Sequence, residues 1–444
     1  MARDLSMPTS MVNQLWTSIA DAGRDLVRSR IAGRRRGGIE DLCRDLLSTR
    51  GEASGAALAR EVVESWRAMS EADRLAFYRW LGSDLAVDRK RLGRAIETWR
   101  EEPSLSHLLA LREATEAPRI ELFRRMNTAP NGTRTLVQLR ADLLRQDTGR
   151  DLREVDADLH TLLESWFNPG FLTLERIDWR SPAALLEKLM RYEKVHRIKA
   201  LEELKRRLAA DRRCFAFFHP ALPDEPLIFV QVALVQSIAD KVQPLLDPAA
   251  EVADPKGADT AIFYSISNCQ DGLRGVTLGN FLIKAVVADL ARELPQIRTW
   301  STLSPIPGFA VWLKEELADG ESKALTTADR TILTALADSK WSADEAATAR
   351  LEKPMTRLCA QYLAREKRGS RPRDPVARFH LGNGARLERL NWLGDISPKG
   401  IAESFGMLVN YRYDPASIEK NHEAFAANGE IVMSSAVKSL LPAV

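Results

Sequence analysis

Two hydroxyls lie three residues apart in the stretch TWSTLSPIPGF (Thr299–Phe309), on Ser301 and Ser304. A hydroxyl can hydrogen-bond a developing oxyanion or, beside a base, act as a nucleophile. Pro305 and Pro307 forbid an ordinary helix or strand interior just beyond the pair, which therefore stands at a rigid elbow. Ser304 precedes Pro305, is held extended by it, and is expected to serve the shape of that elbow. A second constellation is the loop NCQDGLRGVT, where Gly272 and Gly275 precede a helical pattern and Arg274 sits between them. Free backbone N–H groups and the positive end of a helix dipole make phosphate or pyrophosphate the natural guest, and Arg274 adds a charged fork. A plain turn is the alternative, because the loop is neither a Walker sequence nor GxGxxG.

The elements that must hold these groups change in texture near residues 190–215. Before that point apolar residues recur at three and four places, as in AALAREVVESWRAM, ADRLAFYRWLG and TRTLVQLRADLLRQ. Breaks at RRRGG, EEPS, TAPNG and NPGF divide them, so residues 1–190 read as an all-helical bundle, a scaffold or oligomerisation domain. Trp66, Trp80 and Trp99 suit either its core or a subunit interface. Beyond lie strand-like runs: CFAFFH, PLIFVQVALV, TAIFYSIS, QIRTWS and MLVNYRY. The helical run LGNFLIKAVVADLAREL stands between two of them, and a helical segment at 322–368 reads as an insertion or lid. The fold class is α+β, with residues 191–444 forming a mixed-sheet domain.

Composition narrows the function. A chain of 444 residues exceeds one ordinary core, and its formal charge of +3 gives no field for nucleic acid or an anionic membrane. The arginine patch at 28–38 lacks interleaved aromatic residues and reads as a solvated helix end. Cys43, Cys214, Cys269 and Cys359 form no CxxC pair, so no zinc or iron–sulfur spacing is present and a reducing cytoplasm fits. No apolar run reaches the roughly 20 residues of a membrane span, and the N-terminus has no signal-peptide core.

A strand, a glycine loop, a helix and a strand that splays away resemble the arrangement by which the GNAT acyltransferase fold holds the pyrophosphate of coenzyme A. The pattern there is a tighter Q/R-x-x-G-x-G/A, whereas Gly272 and Gly275 are three apart. Longer blocks go further. HPALPDEPLIFVQVAL, FYSISNCQDGLRGVTLGNFLIK, STLSPIPGF, FHLGNGARLERLNWLGD and NYRYD, in that order over about 215–415, resemble the malonyl-CoA decarboxylase family.

That resemblance implies conversion of malonyl-CoA to acetyl-CoA and carbon dioxide, without metal or organic cofactor, by a homotetramer on a GNAT-like sheet. It puts the family's serine on Ser301, its histidine on His380, and its acyl-CoA loop on Asp271, Gly272, Leu273, Arg274, Gly275, Val276 and Thr277. Decarboxylation leaves an electron pair that must enter the thioester carbonyl. Ser301 is thus expected to polarise and position the malonyl group, and His380, titrating near working pH, to deliver a proton to carbon. Tyr413 and Asn383 are further candidates, each with a plain structural alternative as a half-buried strand tyrosine and a turn residue. A GNAT-type acyl-CoA-dependent acyltransferase is the alternative function; it would need an acceptor site for an amine.

Overall fold

The computed structural model describes residues 38–49, 51–146, 149–276, 278–338 and 340–442. Thr277 and the arginine patch up to residue 37 lie outside the described residues. These fall into two compact units: one takes residues from Met1–Thr173, Phe218–Glu225 and Gln270–Thr277, the other from Leu174–Phe217, Pro226–Cys269 and Leu278–Val444. Composition places a boundary at 190/191; the compact units divide at Thr173/Leu174, and helix Ala183–Tyr192 goes with the second.

The first unit is helical, as the three-and-four periodicity predicts. Its described helices are α1 (Ile39–Ser48), α2 (Glu52–Ala68), α3 (Glu71–Ser83), α4 (Arg89–Glu101), α5 (Leu105–Thr115), α6 (Pro118–Asn127), α7 (Gly132–Leu143) and α8 (Arg150–Trp166). Ser70, Asp88 and Ser104 start α3, α4 and α5 by accepting main-chain N–H groups of the first turn. Trp66, Phe77, Tyr78, Phe123, Met126 and Leu139 fill the core, and the buried Tyr78 hydroxyl donates to Asp142 at 2.7 Å. Trp80 belongs to that core too, whereas Trp99 on α4 and Leu105, Leu108 and Leu109 on α5 are exposed. His219 is a hinge pin for its own turn: Nδ1 accepts from the Ala221 N–H, which leaves Nε2 to donate to the Trp166 carbonyl, each at 3.1 Å.

The second unit is built on a mixed sheet, so the molecule is α+β. Strands β1 (Thr173–Ile177), β2 (Arg212–Phe218), β3 (Ile228–Val235), β4 (Thr260–Asn268) and β5 (Thr299–Thr302) lie in sequence order. Next comes β10 (Leu408–Tyr413), which carries β5 and β6 (Ser304–Pro305) on one side and β9 (Arg386–Asn391) on the other. β7 (Lys367–Arg368) and β8 (Arg371–Pro372) form a separate hairpin. β2 and β3 are buried almost throughout, which is why CFAFF and VALV read as apolar runs rather than an alternation, with Arg212, Arg213 and Gln231 buried among them. β4 and β5 run parallel, with α9 (Gly279–Glu293) between them in the chain, while the other registered pairs are antiparallel. Helix α10 (Phe309–Ala318) follows the proline elbow. In the segment at 322–368, α11 (Glu345–Arg365) buries Leu351, Met355, Leu358 and Tyr362 and is thus a packed wall of the unit. Helix α12 (Pro375–Gly382) carries His380.

Candidate active site

β5 and β6 are one strand interrupted at Leu303. Both pair with β10 in a single register, Trp300 opposite Tyr413, Ser301 opposite Arg412, Ser304 opposite Val409 and Pro305 opposite Leu408. Between these pairs side chains replace the main-chain ladder. The Tyr411 N–H donates to Thr302 Oγ1 at 3.1 Å, Asn410 Nδ2 donates to the Thr302 carbonyl at 2.7 Å, and Ser301 Oγ donates to the Tyr411 carbonyl at 3.3 Å. The Leu303 N–H turns instead to the Phe263 carbonyl of β4 at 3.0 Å. The sheet therefore stays satisfied while its strand is free to redirect the next side chain.

That side chain is Ser304. Its Oγ lies 3.1 Å from His380 Nε2 and donates to Thr302 Oγ1 at 2.8 Å. His380 Nδ1 is in turn 2.8 Å from the Tyr413 hydroxyl. The imidazole stacks on Tyr411 at 4.6 Å between centroids, which fixes its plane. Ser304, His380 and Tyr413 are all buried. Burial alone pushes His380 down to about 3, so the ring rests neutral; a histidine titrating near working pH, as the sequence suggests, is not what the fold builds. Burial likewise drives the Tyr413 hydroxyl well above its ordinary range.

Local sequence explains why His380 is held so firmly. In RDPVARFH, Asp374 caps α12 by accepting the N–H groups of Val376 and Ala377, both at 2.9 Å, and Pro375 supplies the preset first residue. Asp374 is fully buried with the Gly308 amide and Tyr362 hydroxyl beside it, and burial pushes its carboxyl up to about 6. Asn383 closes the helix through its main-chain N–H, and its buried Nδ2 has no hydrogen-bond partner. Phe379 packs over Gly279 at the start of α9, where even one Cβ would fall inside the Phe379 ring.

The acyl-CoA loop of the sequence reading belongs to the first unit. Asp271–Leu273 form a tight helical turn. Gly272, Leu273 and Val276 are buried, whereas Asp271, Arg274 and Gly275 are exposed. Gly272 sits on the Val137 carbonyl, too close to admit a side chain, and Gly275 has φ +86°. Beneath the loop the buried Arg140 donates to the carbonyls of Gly272 at 2.7 Å and Arg274 at 2.8 Å, and pairs with Asp156 at 2.8 Å.

The structure thus brings His380, Ser304 and Tyr413 together, and turns the Ser301 hydroxyl to main-chain carbonyls. Thr302 and Asp374, which the sequence does not single out, stand beside this row. Strand parity was the available signal: side chains alternate, so Thr302 and Ser304 share a face that Ser301 does not. Among the described residues no three His, Cys, Asp or Glu side chains gather to hold a metal ion, and no helix is long and apolar enough to cross a membrane.

Known proteins resemble the chain in sequence and in fold. Residues 170–444 match the malonyl-CoA decarboxylase C-terminal domain and residues 85–167 its N-terminal domain. The chain is 41% identical over 345 residues to the goose (Anser anser anser) protein "Malonyl-CoA decarboxylase, mitochondrial", covering 72% of this chain and 68% of that one. The crystal structure of malonyl-CoA decarboxylase from Rhodopseudomonas palustris superposes with TM-score 0.87 at 49% identity, over 90% of this chain and 98% of that one. The structure of the Agrobacterium vitis enzyme gives 0.86 at 50% identity, over 90% and 99%. By sequence and by fold, the chain belongs to the malonyl-CoA decarboxylase family.

Proposed function

We propose that this chain decarboxylates malonyl-CoA to acetyl-CoA and carbon dioxide, without a cofactor, and that Ser304 and His380 carry the chemistry. The supporting observation is the buried hydrogen-bonded row Tyr413–His380–Ser304 in a member of this family. Ser304 takes the polarising role that the resemblance put on Ser301, because Ser304 is the serine against the imidazole and Ser301 already serves the Tyr411 carbonyl.

When the C–C bond to the carboxylate breaks, its electron pair enters the thioester carbonyl as an enolate, and Ser304 Oγ–H, turned from its resting acceptor Thr302, is the donor that meets the growing charge. The enolate carbon then takes one proton, drawn ultimately from solvent. His380 is neutral at rest, but a substrate carboxylate brought to an uncharged buried ring raises its affinity for a proton and loads the donor only when there is something to protonate. Tyr413 orients the ring from Nδ1. Asn383, with a buried amide unpaired, is an additional donor on the same helix end.

The loop Asp271–Val276, with Arg274 and Gly275 at the surface, is proposed to bind the coenzyme A phosphates, together with Thr277. Exposed Trp99, Leu105, Leu108 and Leu109 on α4 and α5 support self-association, proposed as a homotetramer. The four buried free cysteines suit a reducing compartment, proposed as the cytoplasm.

Incubating the purified chain with malonyl-CoA alone tests the reading. Acetyl-CoA and carbon dioxide are expected in equal amounts; release that depends on an added amine would point to an acyltransferase instead. Ser304→Ala should abolish turnover, whereas Ser301→Ala should keep most of it and lose about 1 kcal/mol of stability or less. The reverse ranking would return the chemistry to Ser301.

A further inference from the structure

We infer that Thr302 is a positioning residue that fixes which nitrogen of His380 carries the proton, by dictating the direction of the Ser304 hydroxyl. Thr302 stands in the middle of the interrupted strand, fully buried, with its Oγ1 accepting from two donors at once. One is the Tyr411 main-chain N–H at 3.1 Å, which cannot be reversed. The other is Ser304 Oγ at 2.8 Å, oriented so that the serine is the donor.

A hydroxyl has one proton. With that proton given to Thr302, Ser304 Oγ can only accept from His380 Nε2, at 3.1 Å. Nε2 must then be protonated, and in a neutral ring Nδ1 is bare and accepts from the Tyr413 hydroxyl at 2.8 Å. The row therefore runs one way: Tyr413 O–H to Nδ1, Nε2–H to Ser304, Ser304 O–H to Thr302. The direction of the row follows from the one proton that Ser304 Oγ gives to Thr302 Oγ1.

The consequence bears on the reaction proposed above, on which this inference rests for its functional meaning. A resting Ser304 that donated to Nε2 would have the arrangement of an activated nucleophile. Parked on Thr302, Ser304 is instead an unactivated hydroxyl, and the ring presents an N–H toward it. Thr302 thus selects a hydrogen-bond donor and proton carrier over a nucleophilic serine. Asn410 Nδ2 on the Thr302 carbonyl and the Leu303 N–H on β4 keep the Thr302 backbone from turning away.

The test is nitrogen NMR of protein labelled at the histidine rings, with His380 assigned by its loss in His380→Gln. Resting wild type should show a pyrrole-like Nε2 and a pyridine-like Nδ1. Thr302→Val keeps the shape and removes the acceptor; it should shift the ring toward the Nδ1–H form and lower kcat on the order of tenfold or more with KM little changed. Thr302→Ser should restore both. A wild-type ring protonated at Nδ1 would overturn the inference, as would a Thr302→Val ring with an unchanged spectrum. Should Thr302→Val fail to fold, the wild-type and Thr302→Ser spectra still decide the direction of the row. The spectrum is read without substrate, so a chain unable to turn over malonyl-CoA would defeat the functional reading without deciding the tautomer.

Discussion

The second unit buries two histidines, and they are treated in opposite ways. His196 lies in a charged network: its main-chain N–H donates to Glu193 at 3.0 Å, its carbonyl accepts from Arg207 at 2.7 Å, and Glu193 also accepts from Ser265 and Gln231. Burial pushes His196 down to about 4, with Glu193 and Asp395 working against the fall. His380 has hydroxyls and aromatic rings around it, and nothing offsets its fall to about 3. The first region pairs polar and charged groups with one another; in the second, hydroxyls and aromatic rings rather than a carboxylate touch the imidazole. An Asp beside His380 would have raised the ring's affinity for a proton.

The comparison breaks most visibly in activity. His380→Gln should lower kcat by about 10²–10⁴-fold, the usual range for losing an acid–base group. His196→Gln should leave kcat per folded molecule near wild type. Steady-state kinetics on both variants, after circular dichroism confirms folding, would decide this, and equal losses would mean that the two rings are not specialised.

Stability should sort the other way. Glu193→Gln removes the buried carboxylate that accepts from Ser265, Gln231 and the His196 N–H and should cost about 2–3 kcal/mol, read as a lower denaturant midpoint with kcat per folded molecule kept. An unchanged midpoint would deny the network its structural role.

The smallest effect sharpens the contrast through pH. The unfolded chain protonates these rings near 6.5, whereas the folded chain resists until about 4 for His196 and about 3 for His380. The stability they contribute is full above pH 6.5 and is lost as pH falls, by about 1.4 kcal/mol per pH unit for each ring. Asp374, raised to about 6, acts in the opposite sense as pH drops toward 4. The informative quantity is therefore the difference between wild type and His380→Gln: the variant should lose stability less steeply between pH 6 and 4 in equilibrium unfolding.

Much of this was legible in the sequence, for reasons that also explain the rest. Period-three-and-four patterns gave the helices of the first unit, because an amphipathic helix writes its buried face into local spacing. The five predicted strands are present as β2, β3, β4, β5 and β10. β9 was overlooked, since RLERLN mixes charge into a strand whose arginines and glutamate pair laterally with one another and with Asn391. The choice between Ser301 and Ser304 is not a local property. Which serine meets the imidazole depends on which face of a broken strand meets a helix 76 residues later. The loop was legible as a turn of glycines, but Arg140, which grips its carbonyls, lies 132 residues from Gly272.

The contact of Phe379 with Gly279 has a consequence of a different kind. The residue next to His380 rests where only a hydrogen atom fits, so a single methyl at Gly279 would press on the short helix that aims the imidazole. Gly279→Ala would preserve every reactive atom and spoil their alignment, in the manner of a temperature-sensitive allele. The proposed chemistry would thus depend on a position that touches none of its reactive groups.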